Sequence, residues 1–176
     1  MKGVGYQWAG KHAISRTVQS YPELRYMQTE NECGDGENTW FYARYVFNLY
    51  QHYLFNGVNA YIYWNMVLEP KGRSTWGWEQ NAMLTVDPEA KTATHNPEFY
   101  VMKHFAHFTS PGDRRIGLKG PWAGNAIAFE KPDGTKVLVL ANHFDTEREL
   151  RLAVNKKVHS FKLAPESFHT IVIPGE

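Results

Sequence analysis

Glu30 closes a short run, Leu24-Arg25-Tyr26-Met27-Gln28-Thr29, that reads as a β-strand. The polar turn Asn31-Glu32-Cys33-Gly34-Asp35-Gly36 follows at once. A carboxylate at the carboxyl end of a strand, with a helix to follow, stands where α/β barrels keep their catalytic groups. A single Glu in such a place is usually no more than solvated, so its neighbours carry the argument. Two other predicted strands also end in hydrogen-bonding and aromatic groups, at Gln7-Trp8 and Trp64-Asn65. In a barrel those strand ends converge on one face. Carboxylate, amide and indole together suit glycoside chemistry, in which a carboxylate attacks the anomeric carbon and the sugar ring stacks on an aromatic face.

The other titratable residues offer less. A retaining glycosidase needs two carboxyl groups about 5–5.5 Å apart on opposite sides of the scissile bond. Glu32 and Asp35 share one turn with Glu30, do not straddle a substrate, and read as turn-forming residues; Glu37 complements the N-terminus of the helix that follows. Glu69 and Glu79 lie on a long loop with nothing to support a role. Of the eight histidines, His104 and His107 sit three apart on a helix and read as flank residues, so no metal is expected. His143, His159 and His169 read as strand-surface residues. Cys33 has no adjacent His or Lys to activate it and reads as packing.

The elements that must position these groups follow from pattern. Gly3 to Trp8 and Leu24 to Thr29 are predicted strands, with a modest helix at Lys11 to Ser20 between them. Asn38 or Thr39 caps a helix from Trp40 to about Phe55, with Trp40, Ala43, Phe47, Tyr50 and Leu54 at helical spacing and Gly57 as the stop. Asn59 to Trp64 is a third strand. A long loop from Val67 to about Thr94 carries Trp76-Gly77-Trp78. Asn96 and Pro97 then start a helix that runs to about Phe108. The order β-α-β-α-β-loop-α argues for parallel strands. Beyond Pro121 the pattern changes to short alternating segments at Asn125–Glu130, Lys136–Ala141, Arg148–Val154, Val158–Leu163 and Ser167–Ile173. Lys131-Pro132-Asp133-Gly134 is the clearest hairpin turn. The boundary falls within residues 110–122, dividing 1–112 from an antiparallel sheet or half-sandwich at 113–176.

Composition bounds the function. The 176 residues carry a formal charge of +1, so no global field favours nucleic acid or an anionic membrane. No apolar run approaches the roughly 18 residues of a membrane span. The lone Cys33 excludes an internal disulfide. The start lacks the apolar stretch of a secretion leader, and localisation stays open. Phe, Trp and Tyr make up 15% of the chain, and a Tyr- and Phe-rich core accounts for most of them. Trp8, Trp64, Trp76 and Trp78 differ, because they fall at strand ends or in the loops that follow.

These residues, in this order and spacing, resemble glycoside hydrolase family 30, the glucosylceramidase-like family. The resemblance rests on Gly3-Val4-Gly5-Tyr6-Gln7-Trp8, Gln28-Thr29-Glu30-Asn31-Glu32-Cys33-Gly34-Asp35-Gly36 and Tyr63-Trp64-Asn65-Met66. It continues through Thr94-His95-Asn96-Pro97-Glu98-Phe99-Tyr100 and Arg114-Arg115-Ile116-Gly117-Leu118. It implies a retaining β-glycosidase built from a (β/α)8 barrel and a β-sandwich, with no cofactor and a carbohydrate substrate. Glu30 matches the nucleophile, Trp64 a tryptophan lining the sugar subsite, and Trp76 a loop tryptophan near its rim. Gln7 falls where glucosylceramidases often carry a His, beside the matching Trp8. The continuation Glu30-Asn31-Glu32-Cys33-Gly34-Asp35-Gly36 looks closer to members that cut β-1,6-glucan.

One departure is large. The family's acid/base belongs to an Asn-Glu-Pro-type motif at the end of barrel strand 4, and no Asn-Glu-Pro occurs here. A full barrel needs about 250 residues, whereas residues 1–110 match its last three β/α units. The expectation is therefore the C-terminal portion of a longer enzyme, with its N-terminal barrel half missing and little activity alone. Two other readings remain open. One is a non-catalytic carbohydrate-binding protein that keeps the aromatic platform; the other is a chain with no autonomous fold.

Overall fold

The computed structural model describes residues 2–175. Its contacts divide the chain into two units, Met1–Met102 and Lys103–Glu176. In the first, strands β1 (Gly3–Gln7), β2 (Arg25–Glu30) and β3 (Ala60–Tyr61) form a parallel sheet in that order. Helix α1 (Ile14–Ser20), entered through a 3-10 turn at Trp8–Ala13, connects the first pair, and α2 (Trp40–Phe55) connects the second. The expected β-α-β-α-β order is present. The helix predicted from Lys11 is therefore α-helical only from Ile14.

Helix α2 begins where Thr39 Oγ1 accepts the Tyr42 N–H at 3.3 Å. Its buried stripe is Ala43, Val46, Phe47, Leu49, Tyr50 and Tyr53. Trp40 was expected in that stripe but is exposed, its ring stacked on that of Tyr100 at 6.1 Å rather than packed with the stripe. Tyr6, Ile14, Tyr26, Leu49, Tyr53 and Val58 close the core between the sheet and the helices. Strands β1 and β2 pack tightly because Gly5 has no side chain. A Cβ there would lie 2.9 Å from Thr29 Cγ2.

The third predicted strand is shorter than Asn59–Trp64. Only Ala60 and Tyr61 pair, with Met27 and Gln28, and the Ile62 N–H that completes the ladder is shared between the Gln28 carbonyl (3.1 Å) and its Oε1 (2.9 Å). The predicted long loop contains a second small sheet of β4 (Val67–Leu68), β5 (Leu84–Asp87) and β6 (Thr92–His95). These strands are two to four residues long, and β6 is exposed throughout, so no apolar alternation announced them. Helix α3 (Pro97–Ala106) starts at Pro97 as expected and ends two residues before Phe108.

In the second unit β7 (Arg114–Ile116), β8 (Ala126–Glu130), β9 (Lys136–Asn142) and β12 (Ser167–Ile173) form an antiparallel sheet in the order β12-β9-β8-β7. A hairpin of β10 (Arg148–Val154) and β11 (Lys157–Leu163) forms the other layer. The two share a core of Ala126, Ala128, Leu138, Leu140, Leu150, Leu163 and Ile171. All the strands expected after Pro121 are present, while β7 was not foreseen. Two of the three histidines read as surface residues lie on β11 and β12, half-buried; His143 lies just past the end of β9. Asn142 is fully buried and donates to the carbonyls of Thr146, Leu163 and Ala164, tying β9 to the end of β11.

The β10–β11 turn places Asn155 and Lys156 at φ 50° and 64°, the left-handed pair that tight hairpins favour. Lys carries a Cβ penalty in that conformation which Gly escapes. Lys156→Gly is expected to raise the unit's stability by about 1 kcal/mol in urea unfolding. An unchanged or lowered midpoint would count against this account of the turn.

Candidate functional site

The site begins at an irregularity in the β1–β2 register. Residues pair one to one from Gly3↔Arg25 to Tyr6↔Gln28, after which a bulge brings Gln7 opposite Glu30. The slip carries Trp8 past the strand end, at φ 43°, so that its indole Nε1–H donates to Glu30 Oε1 at 2.8 Å. Gln7, Trp8 and Glu30 are thus brought together. Lys11 fixes this corner from the following turn. Its ammonium donates to the Trp8 carbonyl at 3.4 Å and forms an ion pair with Glu32. Glu32, expected to serve only the turn, has this second role.

Asn31 places the next aromatic. It has no solvent exposure; its Oδ1 accepts the Trp64 N–H at 2.8 Å, and its Nδ2 donates to the carbonyls of Trp64 (3.3 Å) and Glu32 (2.7 Å). The residue next to Glu30 thereby holds the backbone of Trp64, whose indole is exposed. The Trp64–Asn65 peptide is cis. Asn65 is buried, its amide 3.4 Å from the Asn81 carbonyl. Trp76 reaches this group through Trp78, whose ring lies 6.5 Å from that of Trp8 and 6.0 Å from that of Trp76.

The turn behind Glu30 is held by Asn81, on the loop before β5. Its Oδ1 accepts from the backbone N–H groups of Gly36 (2.8 Å), Asp35 (3.3 Å) and Asn38 (3.4 Å). Its Nδ2 donates to Glu98 Oε1 at 2.7 Å. Gly34, at φ +73°, allows this approach, since a Cβ would lie 2.5 Å from Asn81 Cγ. Asn31, Asn81, Lys11 and Glu98 escaped the sequence reading. Each of the four bonds a group 17 or more residues away in the chain, which no local pattern announces.

The electrostatics separate the carboxylates. Burial alone would raise the Glu32 pKa, but the hydrogen bond and positive charge of Lys11 bring it below the usual carboxylate value. Glu32 therefore stays ionised and is unsuited to donate a proton. Glu79 lies 3.4 Å from Arg73 and 3.7 Å from Lys71, and Glu37 lies 3.8 Å from Lys71. Cys33 is buried, and His104 Nδ1 lies 2.8 Å from Thr170 Oγ1. Among the described residues no three His, Cys, Asp or Glu side chains gather as a metal site, and no helix is long and apolar enough to cross a membrane.

Glu98 behaves differently. Burial pushes its carboxyl up to about 7, the Asn81 hydrogen bond opposes this, and the charge of Asp35 adds to it. The folded chain keeps a proton that the unfolded chain loses above about 4.5, so stability falls as pH rises from about 4.5 to about 7. The full effect is on the order of 3 kcal/mol. Glu98→Gln keeps the acceptor for Asn81 and removes the titration. The variant is expected to match the parent near pH 5 and to exceed it in urea midpoint at pH 7.5. A difference that stays constant across this range would refute the assignment.

Known proteins resemble the chain over both units. Residues 113–171 match the model of the glycosyl hydrolase family 30 beta sandwich domain. A Caenorhabditis elegans protein named "Putative glucosylceramidase 2" is 33% identical over 92 residues, 49% of this chain and 18% of that protein. A second, "Putative glucosylceramidase 4", is 25% identical over 174 residues, 90% of this chain and 33% of its own length. Among solved structures, SrfJ from Salmonella typhimurium superposes with a TM-score of 0.86 at 22% identity, over 100% of this chain and 41% of its own. The endo-beta1,6-glucanase BT3312 superposes with a TM-score of 0.83 at 20% identity, over 99% and 41%. The chain thus spans a third or less of these curated relatives and about two fifths of these structures.

Proposed function

We propose, for a chain related to glycoside hydrolase family 30, that Glu30 is the nucleophile of a retaining β-glycosidase acting on β-glucosides. The sheet β1-β2-β3 with its helices corresponds to the last three β/α units of a (β/α)8 barrel. The observation that carries the reading is the 2.8 Å hydrogen bond from Trp8 Nε1 to Glu30 Oε1 at the carboxyl end of that sheet. It fixes one carboxylate oxygen and leaves Oε2 to attack. Trp64, whose backbone N–H is bonded by Asn31, the residue after Glu30, and whose indole is exposed, offers a face to the sugar. Gln7 and Asn65 supply amides, and Trp76 stands at the rim.

In the reaction, a bond forms between Glu30 Oε2 and the anomeric carbon as the bond to the leaving oxygen breaks. That oxygen takes a proton from the acid/base of the Asn-Glu-Pro-type motif that the family resemblance implies and these 176 residues lack; Glu32, held ionised by Lys11, does not replace it. Water, deprotonated by the same group, then displaces the carboxylate and restores Glu30. Without the acid, turnover of ordinary glucosides falls by about 10²–10⁴-fold.

A 2-deoxy-2-fluoro-β-glucoside with a dinitrophenolate leaving group needs no proton from the protein. It is expected to label the chain once, at Glu30 by peptide mass, and to leave Glu30→Gln unlabelled. A label elsewhere, or none on the parent, would sink the nucleophile reading. Saturable binding of the sugar without label would favour the carbohydrate-binding alternative.

A further inference from the structure

Buried polar side chains interlock behind the candidate site. Asn31, Asn65, Asn81, Asn96 and Glu98 are all buried. Asn65 Nδ2 lies 3.4 Å from the Asn81 carbonyl, and the Asn65 carbonyl accepts the Met83 N–H at 2.9 Å. Asn96 Nδ2 donates to the Ala82 carbonyl and to Thr85 Oγ1, both at 2.8 Å. Asn38 Oδ1 accepts the Ala82 N–H at 2.9 Å. With the three turn N–H groups on Asn81 Oδ1, these bonds join the turn after Glu30, the Trp64–Asn65 segment, the loop before β5 and the start of α3. Amides do not titrate near neutrality, so Glu98 is the one residue of the five that can change its charge.

Glu98 is poorly prepared for a negative charge. Its Oε1 accepts the Asn81 amide, while Oε2 is buried with no hydrogen-bond partner. The Tyr63 hydroxyl, one residue before Trp64, is also buried and unpartnered, and it feels the Glu98 charge. Asp35, on the turn itself, opposes ionisation of Glu98 as a like charge; its own backbone N–H and Asn81 favour it. Of the other titratable groups, Cys33 and, from α2, Tyr42 and Tyr50 act on Tyr63. His95 is exposed and packs on the rings of Phe99 and Tyr100. An ionised Glu98 is thus an anion in a dry network with one side-chain hydrogen bond, a cost that opening to water relieves. Opening there frees Asn81, and with it the turn that follows Glu30.

We propose that Glu98 is a positioning residue for Glu30 and acts only in its protonated form. The network holds the turn behind Glu30 in mildly acid solution and releases it as Glu98 ionises. The consequence for Glu30 rests on its reading as the nucleophile; the opening of the turn does not.

Amide hydrogen exchange by NMR on the 176-residue chain reads that opening. A carboxyl that titrates at about 7 in the closed network and at about 4.5 in the open one makes protection of the Asp35, Gly36 and Asn38 N–H groups fall by about thirtyfold between pH 5.5 and pH 8. Glu98→Gln keeps the acceptor for Asn81 and should show no such loss. Asp35→Asn removes the like charge and should move the midpoint to lower pH. The three groups should exchange faster than the Phe47 N–H in the buried stripe of α2, because a local opening precedes unfolding of the unit. Labelling of Glu30 by the 2-deoxy-2-fluoro-β-glucoside needs no acid from the protein, so an absent acid/base gives it no falling limb. Its rate should nonetheless fall by about two- to tenfold as pH rises through 7, and stay level in Glu98→Gln.

Protection that does not change with pH, a loss that persists in Glu98→Gln, a midpoint indifferent to Asp35→Asn, or exchange no faster than at Phe47 overturns the proposal. So does labelling that stays level while protection falls, because the turn then does not position Glu30. No label at any pH rejects the nucleophile reading and the positioning role with it; a loss of protection that Glu98→Gln abolishes would then leave Glu98 as a pH-operated latch on the turn.

Discussion

Asn81 has no solvent exposure, and its side-chain amide joins three parts of the first unit. The oxygen gathers three backbone N–H groups of the turn behind Glu30, and the nitrogen holds Glu98 at the start of α3. A buried amide with these bonds cannot move without leaving polar groups unpaired in a dry environment, each at a cost of about 1–3 kcal/mol. The turn is thereby fixed, and with it the exit of β2. Its backbone N–H donates to the Cys33 carbonyl at 2.6 Å, which anchors the loop to the same turn. The loop 69–83 is thus tied at its C-terminal end to the segment that follows the candidate nucleophile.

The geometry around Glu30 depends on a local irregularity seated on that fixed turn. A regular parallel register would leave Trp8 in line with β1, whereas the bulge at Gln7 turns it toward Glu30. Bulges commonly re-aim a side chain beside an active site. Lys11 holds the bulged corner by binding the Trp8 carbonyl and the Glu32 carboxylate together. One ammonium therefore restrains the aromatic that bonds Glu30 and removes a neighbouring carboxylate from acid chemistry. Asn31 does the corresponding work on the other side, where its amide spans the backbone of Trp64.

The second unit is stabilised by different means. Strand β9 is buried along nearly its whole length, with β8 and β12 hydrogen-bonded on either side. Its central place follows from an unbroken apolar run, Val137 to Ala141, that no exposed strand could carry. Asn142, at its end, converts that run into a connection to the other layer through three carbonyls.

The sequence by itself determined the order of elements and the positions of Glu30, Gln7-Trp8, Trp64-Asn65 and Trp76. Apolar periodicity and turn residues are local, and they also located β8 to β12 to within about a residue, the precision expected of strand ends. It did not reveal β4, β5 and β6, because strands of two to four residues are too short to show a periodicity. Nor could it assign Asn31, Asn81 and Glu98, whose partners in the fold lie up to 46 residues away. Only tertiary structure decides that an Asn is a buried bracket rather than a solvated turn residue, because burial makes each of its hydrogen bonds obligatory. The same holds for Glu30. Its place at a strand end was legible in the chain, but its partner is set by a bulge that the sequence does not spell.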